Sequence, residues 1–581
     1  MTDPRDLFVL PLDPLSRITG SCTLLHHPST DTRFLVDCGA YQGEAKSADR
    51  NEAPFPFDPR KIKWVLLTHA HLDHCGRIPE LVRQGFQGKV VCSNETMKLA
   101  KVILEDAAKL TQTTVPRINW QPISKLKLFN KPFILADNLF VFPLRTAHVL
   151  GALAFDIAAG KPGDQKRVIF SGDIGTNTRD EETQPLLRYR MTPNTTPNMM
   201  VIESTYGANN RSPDSAKARQ QRLRNALSEG LRRGGPVIIP VFALQRAQDL
   251  LWDLHMVLAQ NPGMFCDEPI YYEAPMSLRM HEVYRSALAT DHISSSGKVR
   301  SQWLSKATCE QLGLDRHDAD DLSIALELIE DLFHEGDQDS VSGYQESAET
   351  RVWKNFRASW STSSPDVDYT APAIVLATGG MCQGGPVQTW LAENLDREEA
   401  TVLLTGYCSP YTVGGALLQL AKSPLHEREL LQSGEIELRD VSIPLSEVRA
   451  SIGRLKGWSG HADQKSLVDY VFQKNQNGEP RYPAEVWIQH GHDRSRRLLQ
   501  EAIRERAAEL GYSIKVVLPM QNTQGVNVNG GETISRERIL GISDPSAPKV
   551  KRWLDDPEVA SAVEGLLQAL ANAMKRSSGD R

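Results

Sequence analysis

The stretch Trp64-Val-Leu-Leu-Thr-His-Ala-His-Leu-Asp-His-Cys-Gly-Arg-Ile-Pro79 decides the fold of this chain. It begins with four apolar residues, a short run that is typical of a buried strand. Three imidazoles and a carboxylate follow directly: His69, His71, Asp73 and His74. Such groups at a strand end suit zinc, which accepts imidazole nitrogen and carboxylate oxygen at roughly 2 Å. The first two histidines point the same way in extended backbone, whereas the carboxylate and the third histidine lie past a turn and suit a second ion. We therefore predict two metals.

Length and composition are those of an ordinary globular protein with several domains. The chain has 581 residues, which is more than one hydrophobic core holds, and 40% of them are apolar and 24% charged. A formal net charge of −6 gives no bulk signal for nucleic acid, although a local basic groove and bound cations can still bind phosphate. The eight cysteines form no C-x-x-C pair, and no signal peptide or membrane-spanning apolar run is evident. These features predict a reduced, cytoplasmic protein that does not enter a membrane.

Further apolar runs along the chain also end in polar groups that suit a site. They are Asp37-Cys-Gly39 after residues 34–36, Arg145-Thr-Ala-His148 after residues 140–143, Ser171-Gly-Asp173 after residues 166–170, and Glu203-Ser-Thr-Tyr-Gly207 after residues 199–202. Helical periodicity at 77–84 and 95–110 alternates with these strands. Alternation of this kind favours a layered α/β architecture.

These motifs, in this order, resemble those of the metallo-β-lactamase superfamily. The stretch Glu203–Gly207 is similar to motif A of its β-CASP branch, whose members cut nucleic acid. Trp458-Ser-Gly-His-Ala-Asp463 resembles motif B, and a strand at 484–490 that ends in His490 resembles motif C. Other β-CASP segments have similar counterparts in residues 236–248, 269–276, 374–385 and 402–408.

The resemblance implies a metallo-β-lactamase αββα sandwich with an inserted β-CASP α/β domain. We expect residues 1–207 to form the first part of the lactamase domain and residues 426–545 the second part. The insert is expected at 208–425, with a local elaboration at about 285–370. Residues 546–581 are expected to form a separate C-terminal helix and tail.

The resemblance also implies a role for each site residue. One Zn²⁺ would be held by His69, His71 and His148, a second by Asp73, His74 and His490, and Asp173 would bridge the two. His461, oriented by Glu203, would protonate the leaving oxygen, and Asp37 would orient a ligand histidine. His492 is a rival to His490, because it lies only two residues further on.

The expected substrate is single-stranded RNA. In the family, RNA-cutting members have histidine in motif C where DNA-repair members usually have valine, so His490 favours RNA over DNA. Phosphate contacts are expected from Arg246 at a helix start, from Gly384 and Gly385, and from Ser204. A structural ion pair of Arg246, and tight glycine turns without a ligand, are the alternatives.

Three departures from the family pattern bear on substrate binding. Pro386 follows the glycine-rich turn where relatives often have arginine, Gly415 stands where relatives have the arginine of T-L-G-R, and Gln245 replaces the usual glycine before Arg246. Two basic groups that could contact phosphates are thus missing, and each lost contact weakens binding. A protein partner or a homodimer could complete the substrate path.

The leading hypothesis is a two-zinc ribonuclease that leaves 5′-phosphate and 3′-hydroxyl ends. A nuclease of the same fold that acts on DNA is the main alternative. A small-molecule metallohydrolase would not need a lid of roughly 200 residues. A catalytically silent scaffold would not need intact ligands at seven positions.

Overall fold

The computed structural model describes residues 3–12, 19–42, 47–123, 131–178, 184–193, 195–211, 215–261, 263–265, 268–289, 292–293, 299–300, 303, 305, 356–359, 367–428, 434–474, 480–520 and 523–541. The predicted C-terminal helix at 546–581 and most of the elaboration at 285–370 lie outside these ranges. Within them, no helix is long and apolar enough to cross a membrane.

The described strands are numbered in chain order. They are β1 Phe8–Pro11, β2 Thr23–His27, β3 Thr32–Val36, β4 Ile62–Leu66, β5 Lys89–Ser93, β6 Trp120–Ile123, β7 Phe133–Ala136, β8 Leu139–Arg145, β9 Leu153–Ala159, β10 Lys166–Phe170, β11 Met199–Ile202, β12 Val237–Val241, β13 Ile270–Glu273, β14 His292–Ile293, β15 Val299–Arg300, β16 Phe356–Ser359, β17 Ile374–Thr378, β18 Thr401–Leu404, β19 Glu435–Glu437, β20 Ser442–Pro444, β21 Ser451–Arg454, β22 Gln473–Lys474, β23 Pro480–Arg481, β24 Glu485–Ile488, β25 Lys515–Val517, β26 Gly525–Asn527 and β27 Thr533–Ile534.

The described α-helices are numbered in the same way. They are α1 Ser47–Glu52, α2 Leu72–Cys75, α3 Ile78–Arg83, α4 Asn94–Leu110, α5 Ala216–Leu231, α6 Arg246–Gln260, α7 Pro275–Ala289, α8 Val387–Ala392, α9 Val413–Leu420, α10 Leu425–Arg428, α11 Gln464–Val471, α12 Asp493–Leu510 and α13 Arg536–Leu540.

Two large mixed sheets form the lactamase domain and confirm the predicted sandwich. One sheet has the strand order β27-β26-β1-β2-β3-β4-β5-β6, and the other has the order β25-β24-β11-β10-β9-β8-β7. Apolar side chains of both sheets share one core, with Phe34 and Val65 from the first and Phe155 from the second fully buried. All seven residues of β9 are buried, as expected for a strand covered on both faces.

The inserted β-CASP domain has its own parallel sheet, as predicted. Its strand order is β16-β13-β17-β12-β18-β21, and each of these pairings is parallel. The edge strand β21 lies at 451–454, beyond residue 425, where the insert is expected to end. Motif B follows this strand within a few residues, and the boundary of the insert stays a prediction.

The carboxyl ends of parallel strands bring the motifs together, as in other α/β sheets. Asp37 follows β3 and His69 follows β4, while Asp173 follows β10. In the second sheet, β11 pairs in parallel with β24, so that Ile202 lies opposite Ile488. Glu203 and His490, which follow these strands, therefore lie close together. The neighbouring Ser204 forms a hydrogen bond with the His490 carbonyl oxygen, although 286 residues separate the two.

Candidate metal centre

Three histidines from two separate motifs meet in a first donor set. His71 Nδ1 lies 2.9 Å from His69 Nε2 and 3.2 Å from His148 Nε2. Burial lowers the pKa of each of these imidazoles well below its ordinary value. They are therefore neutral at pH 7, the form in which histidine binds a metal.

A second donor set lies beside the first. Asp73 Oδ2 is 3.9 Å from His74 Nε2 and 3.7 Å from His490 Nε2. His490 is buried at the end of β24, whereas His492 is exposed and bonded through Nε2 to the Tyr407 hydroxyl at 3.0 Å. Of the two rivals, the structure places His490 in the donor set.

Asp173 lies between the two sets and faces each of them with a different oxygen. Its Oδ2 is 3.5 Å from His69 Nε2 and 3.4 Å from His148 Nε2. Its Oδ1 is 3.4 Å from both His74 Nε2 and His490 Nε2. Two donors that bind one zinc at roughly 2.0–2.1 Å in tetrahedral geometry lie about 3.3 Å apart, so these separations fit a metal between them.

The polar atoms around Asp173 also fit a cation. His74 Nε2, His490 Nε2 and Asp173 Oδ1 are buried and have no hydrogen-bond partner among the described residues. Orphaned atoms of this kind are costly unless something binds them. Burial raises the pKa of Asp173 to about 7, and a bound divalent cation would favour its ionised form. Against burial, Asp173 and Asp37 raise the pKa of His74 to about 10, and a bound cation would favour its neutral form.

Neighbouring groups set the orientation of the donor histidines. Asp37 Oδ2 lies 2.8 Å from His74 Nδ1, which turns His74 Nε2 towards Asp173. Thr68 holds Asp37 in turn, through its backbone N–H at 2.8 Å and its hydroxyl at 2.9 Å. His148 Nδ1 is 2.9 Å from the Gly460 carbonyl oxygen, which leaves Nε2 for the site. Sequence reasoning found Asp37 but missed Thr68 and Gly460, because only the folded chain brings them near.

The predicted pair of His461 and Glu203 lies next to the two donor sets. His461 Nδ1 is 3.1 Å from Glu203 Oε2 and 4.0 Å from Asp173 Oδ2. Glu203 also accepts hydrogen bonds from the backbone N–H groups of Ile174 and Thr205. Burial lowers the pKa of His461, but the Glu203 carboxylate outweighs it and raises that pKa above its ordinary value. His461 is thus equipped to carry a proton beside Asp173.

Two of the expected phosphate contacts are accounted for by the fold. The Ser204 hydroxyl is buried and donates to the Gln489 carbonyl oxygen at 3.0 Å, so it ties β11 to β24 and is not open to a substrate. Gly385 has a φ of +82°, and a Cβ there would lie 2.5 Å from the Thr378 carbonyl oxygen. The tight-turn alternative therefore explains this glycine. A Cβ at Gly384 would meet open space, and its phosphate contact stays a prediction.

Arg246 is engaged in contacts within the protein, as in the structural alternative, and its phosphate contact stays a prediction. It is 8% exposed, pairs with Asp249 at 2.9 Å and donates to the His148 carbonyl oxygen at 3.1 Å. A Cβ at Gly460 would lie 1.9 Å from Arg246 Nη2, so the guanidinium fills the space beside motif B. Its contacts join the β-CASP domain to two loops of the metal centre.

Gln245, which replaces the usual glycine, completes this connection. It has a φ of +68°, a conformation that is uncommon for a residue with a side chain. Its Oε1 accepts from the Leu150 backbone N–H at 3.1 Å and from the Tyr284 hydroxyl at 2.6 Å, and its Nε2 donates to Asp249 at 2.9 Å. Three buried hydrogen bonds thus compensate for the strained backbone.

The Arg246→Gln variant is expected to be less stable by about 3–5 kcal/mol, because it leaves Asp249 as a buried charge without its partner. Urea unfolding measures this loss. The exposed pair of Arg232 and Glu229 supplies the control, and Arg232→Gln should change stability by no more than about 1 kcal/mol. The Arg246→Gln protein could instead be as stable as the wild type, with an RNA affinity that depends less steeply on salt, by about 0.7 in the slope of log affinity against log salt. That result would support a phosphate contact of Arg246 in the wild type.

Comparisons with known proteins agree with the fold. Residues 16–197 match the model of the metallo-β-lactamase superfamily, and residues 247–417 match the β-CASP domain model. The fold and the site define a metal-dependent hydrolase. The chain belongs to the metallo-β-lactamase superfamily and, within it, to the β-CASP nucleases.

Three relatives illustrate this membership. Ribonuclease TTHA0252 of Thermus thermophilus is 28% identical over 87% of this chain and 98% of its own length. Transcription termination factor FttA of Methanocaldococcus jannaschii is 27% identical over 78% of this chain, which spans 62% of that relative. Cleavage and polyadenylation specificity factor subunit 3-I of Arabidopsis thaliana is 30% identical over 52% of this chain, which spans 42% of that relative.

Proposed function

We propose that this protein is a two-zinc ribonuclease that hydrolyses phosphodiester bonds of single-stranded RNA and leaves 5′-phosphate and 3′-hydroxyl ends. The placement of Asp173 carries the proposal, since its two oxygens face two separate donor sets at 3.4–3.5 Å. An arrangement of this kind suits two cations that share one carboxylate, as in two-metal phosphodiesterases.

The chain's own residues would divide the chemistry between them. Two bound cations supply a lowered pKa for water and charge stabilisation for the phosphate oxygens. As water adds to phosphorus, the bond from phosphorus to O3′ breaks and O3′ needs a proton. His461 Nδ1 faces Glu203, which leaves His461 Nε2 to give that proton. Glu203 keeps the ring oriented and favours its protonated form.

RNA is the proposed substrate for two reasons. Histidine at motif C, here His490, is typical of the RNA-cutting members of the family. Among the relatives, one is named a ribonuclease and another a subunit of a cleavage and polyadenylation factor. DNA of the same sequence is the appropriate competitor in a test.

The test compares cleavage of matched 5′-labelled single-stranded RNA and DNA by protein whose zinc content has been measured. We expect two zinc ions per chain and cleavage of RNA only. Asp73→Ala should lose the second ion and the activity, because Asp73 is the carboxylate of that donor set. A polymerase that requires a free 3′-hydroxyl would extend such products. This extension tests whether the bond from phosphorus to O3′ is the one that breaks.

The outcomes separate the parts of the proposal. Cleavage of DNA alone would contradict the RNA assignment and keep the fold and the metal centre. Unchanged RNA cleavage after complete removal of metal would overturn the metal-dependent mechanism. A zinc-loaded protein that cuts neither polymer would contradict the nuclease activity of this chain on its own.

A further inference from the structure

Tyr206 lies beside the proposed proton donor, in the turn that follows β11. Its ring centroid is 5.9 Å from that of His461. The Arg211 guanidinium lies over the same ring, 4.2 Å from its centroid. Arg211 is fixed in turn, because its guanidinium donates to the His461 carbonyl oxygen and its backbone N–H to Asp463. The aromatic ring is therefore held in place next to His461.

The hydroxyl group of Tyr206 is available to a ligand. The side chain is half-buried, and its hydroxyl makes no hydrogen bond with any residue in the described part of the chain. Other tyrosine hydroxyls near the site are bonded within the protein, those of Tyr284 to Gln245 and of Tyr407 to His492. A phenol that is fixed in place with an unused hydroxyl is suited to recognise a polar group of the substrate.

The reaction chemistry identifies the substrate group in its neighbourhood. If the products carry a 5′-phosphate, the oxygen that leaves is O3′ of the nucleotide on the 5′ side of the cut. The 2′-hydroxyl of RNA is attached to the next carbon of the same ribose. If His461 gives the O3′ proton, a polar group next to His461 is a candidate to contact this 2′-hydroxyl, which is what distinguishes RNA from DNA.

We propose that the Tyr206 hydroxyl forms a hydrogen bond with the 2′-hydroxyl of the nucleotide on the 5′ side of the cleaved bond. Tyr206 would then select ribose over deoxyribose at that one position. This inference rests on the proposed function, and it adds a source of RNA preference that does not depend on motif C.

The experiment uses the zinc-loaded full chain and a short 5′-labelled RNA with a single 2′-deoxy substitution. Cleavage at the bond that follows this nucleotide is resolved from cleavage at the other bonds, which serve as internal controls. For the wild type, we expect the 2′-deoxy nucleotide to slow cleavage of that one bond by about three- to tenfold, as for loss of one neutral hydrogen bond. For Tyr206→Phe, cleavage of the same bond in the all-RNA substrate should already be slow by that factor, and the 2′-deoxy nucleotide should slow it no further.

Tyr407→Phe is the matched control, since it removes a phenol hydroxyl from the same region that is already bonded to His492. It should change cleavage of both substrates by the same factor and keep the preference for ribose. The inference is overturned if Tyr206→Phe binds two zinc ions, cuts RNA and still discriminates against the deoxy nucleotide. Absence of RNA cleavage by the wild type would instead overturn the proposed function, and this inference with it.

Discussion

Replacement of Asp173 by asparagine is expected to release at least one of the two proposed metal ions and to slow the proposed RNA cleavage by at least about 100- to 1,000-fold. Asp173 supplies one oxygen to each donor set, and asparagine has one oxygen, no charge and an N–H₂ group that repels a cation. Each cation would also lose an anionic neighbour in a pocket where charges are poorly screened. Metal analysis after gel filtration, together with single-turnover cleavage, measures both effects.

A nearby carboxylate provides the control for this variant. Asp463 caps α11 through the Ser466 backbone N–H at 2.9 Å and accepts from the Arg211 backbone N–H at 2.9 Å, and it belongs to neither donor set. Asn is an equally good cap residue, so Asp463→Asn should keep both metal ions. Full metal content and normal cleavage in Asp173→Asn would refute the shared-carboxylate arrangement.

The second large effect is expected for His461→Gln, with a loss in cleavage rate of about 100- to 10,000-fold at unchanged metal content. In the proposed mechanism, this variant lacks the group that protonates the leaving oxygen. An RNA with sulfur in place of O3′ at the cleaved bond removes that need, because a thiolate leaves without a proton. We therefore expect most of the lost rate to return on the sulfur substrate.

The same substrate distinguishes proton donation from a structural role. Glu203→Gln should be partly rescued by sulfur, since Glu203 acts through His461. Asp73→Ala should gain nothing from it, because its defect lies in metal binding. A His461→Gln protein that is equally slow on both substrates would show that His461 orients the substrate or the fold and does not give the proton.

The sequence was a reliable guide where function depends on the end of a strand. Apolar runs before Asp37, His69, Asp173 and His490 predict strands, and parallel strands carry their carboxyl ends to one edge of a sheet. The lactamase sandwich, the inserted domain and the set of seven donor residues were expected from the resemblance to the family, and the strand pattern agrees with them. The fold adds the hydrogen bonds that show which nitrogen of each ring faces the site.

Some side chains have two uses that the sequence does not distinguish. An arginine at a helix start suits a phosphate or a carboxylate, and the fold adds that Arg246 pairs with Asp249 and donates to the His148 carbonyl oxygen. Ser204 donates to Gln489, which lies 285 residues away, and its phosphate contact stays a prediction. The replacement of the usual glycine by Gln245 marks this position as unusual in the sequence. The sequence does not show that Tyr284 and Leu150 would form hydrogen bonds with the Gln245 side chain.

The end of the insert at residue 425 was expected from the resemblance to the family and stays a prediction. Two short antiparallel strands, β19 and β20, follow that residue. The β-CASP sheet nevertheless takes one more strand after them, and β21 reaches Arg454 by pairing with β18. Strand pairing at this distance is a tertiary contact that local patterns do not predict.

The pairing of β11 with β24 also has a consequence for biosynthesis. During translation, strands β1 to β6 of the first sheet and six of the seven donor residues leave the ribosome long before β24 and His490 do. Contacts between such distant segments form late and slowly. A nascent chain therefore carries an incomplete donor set until almost all of its domains have emerged. An enzyme that degrades RNA would thus acquire its activity only when its own messenger has been read nearly to the end of the described chain.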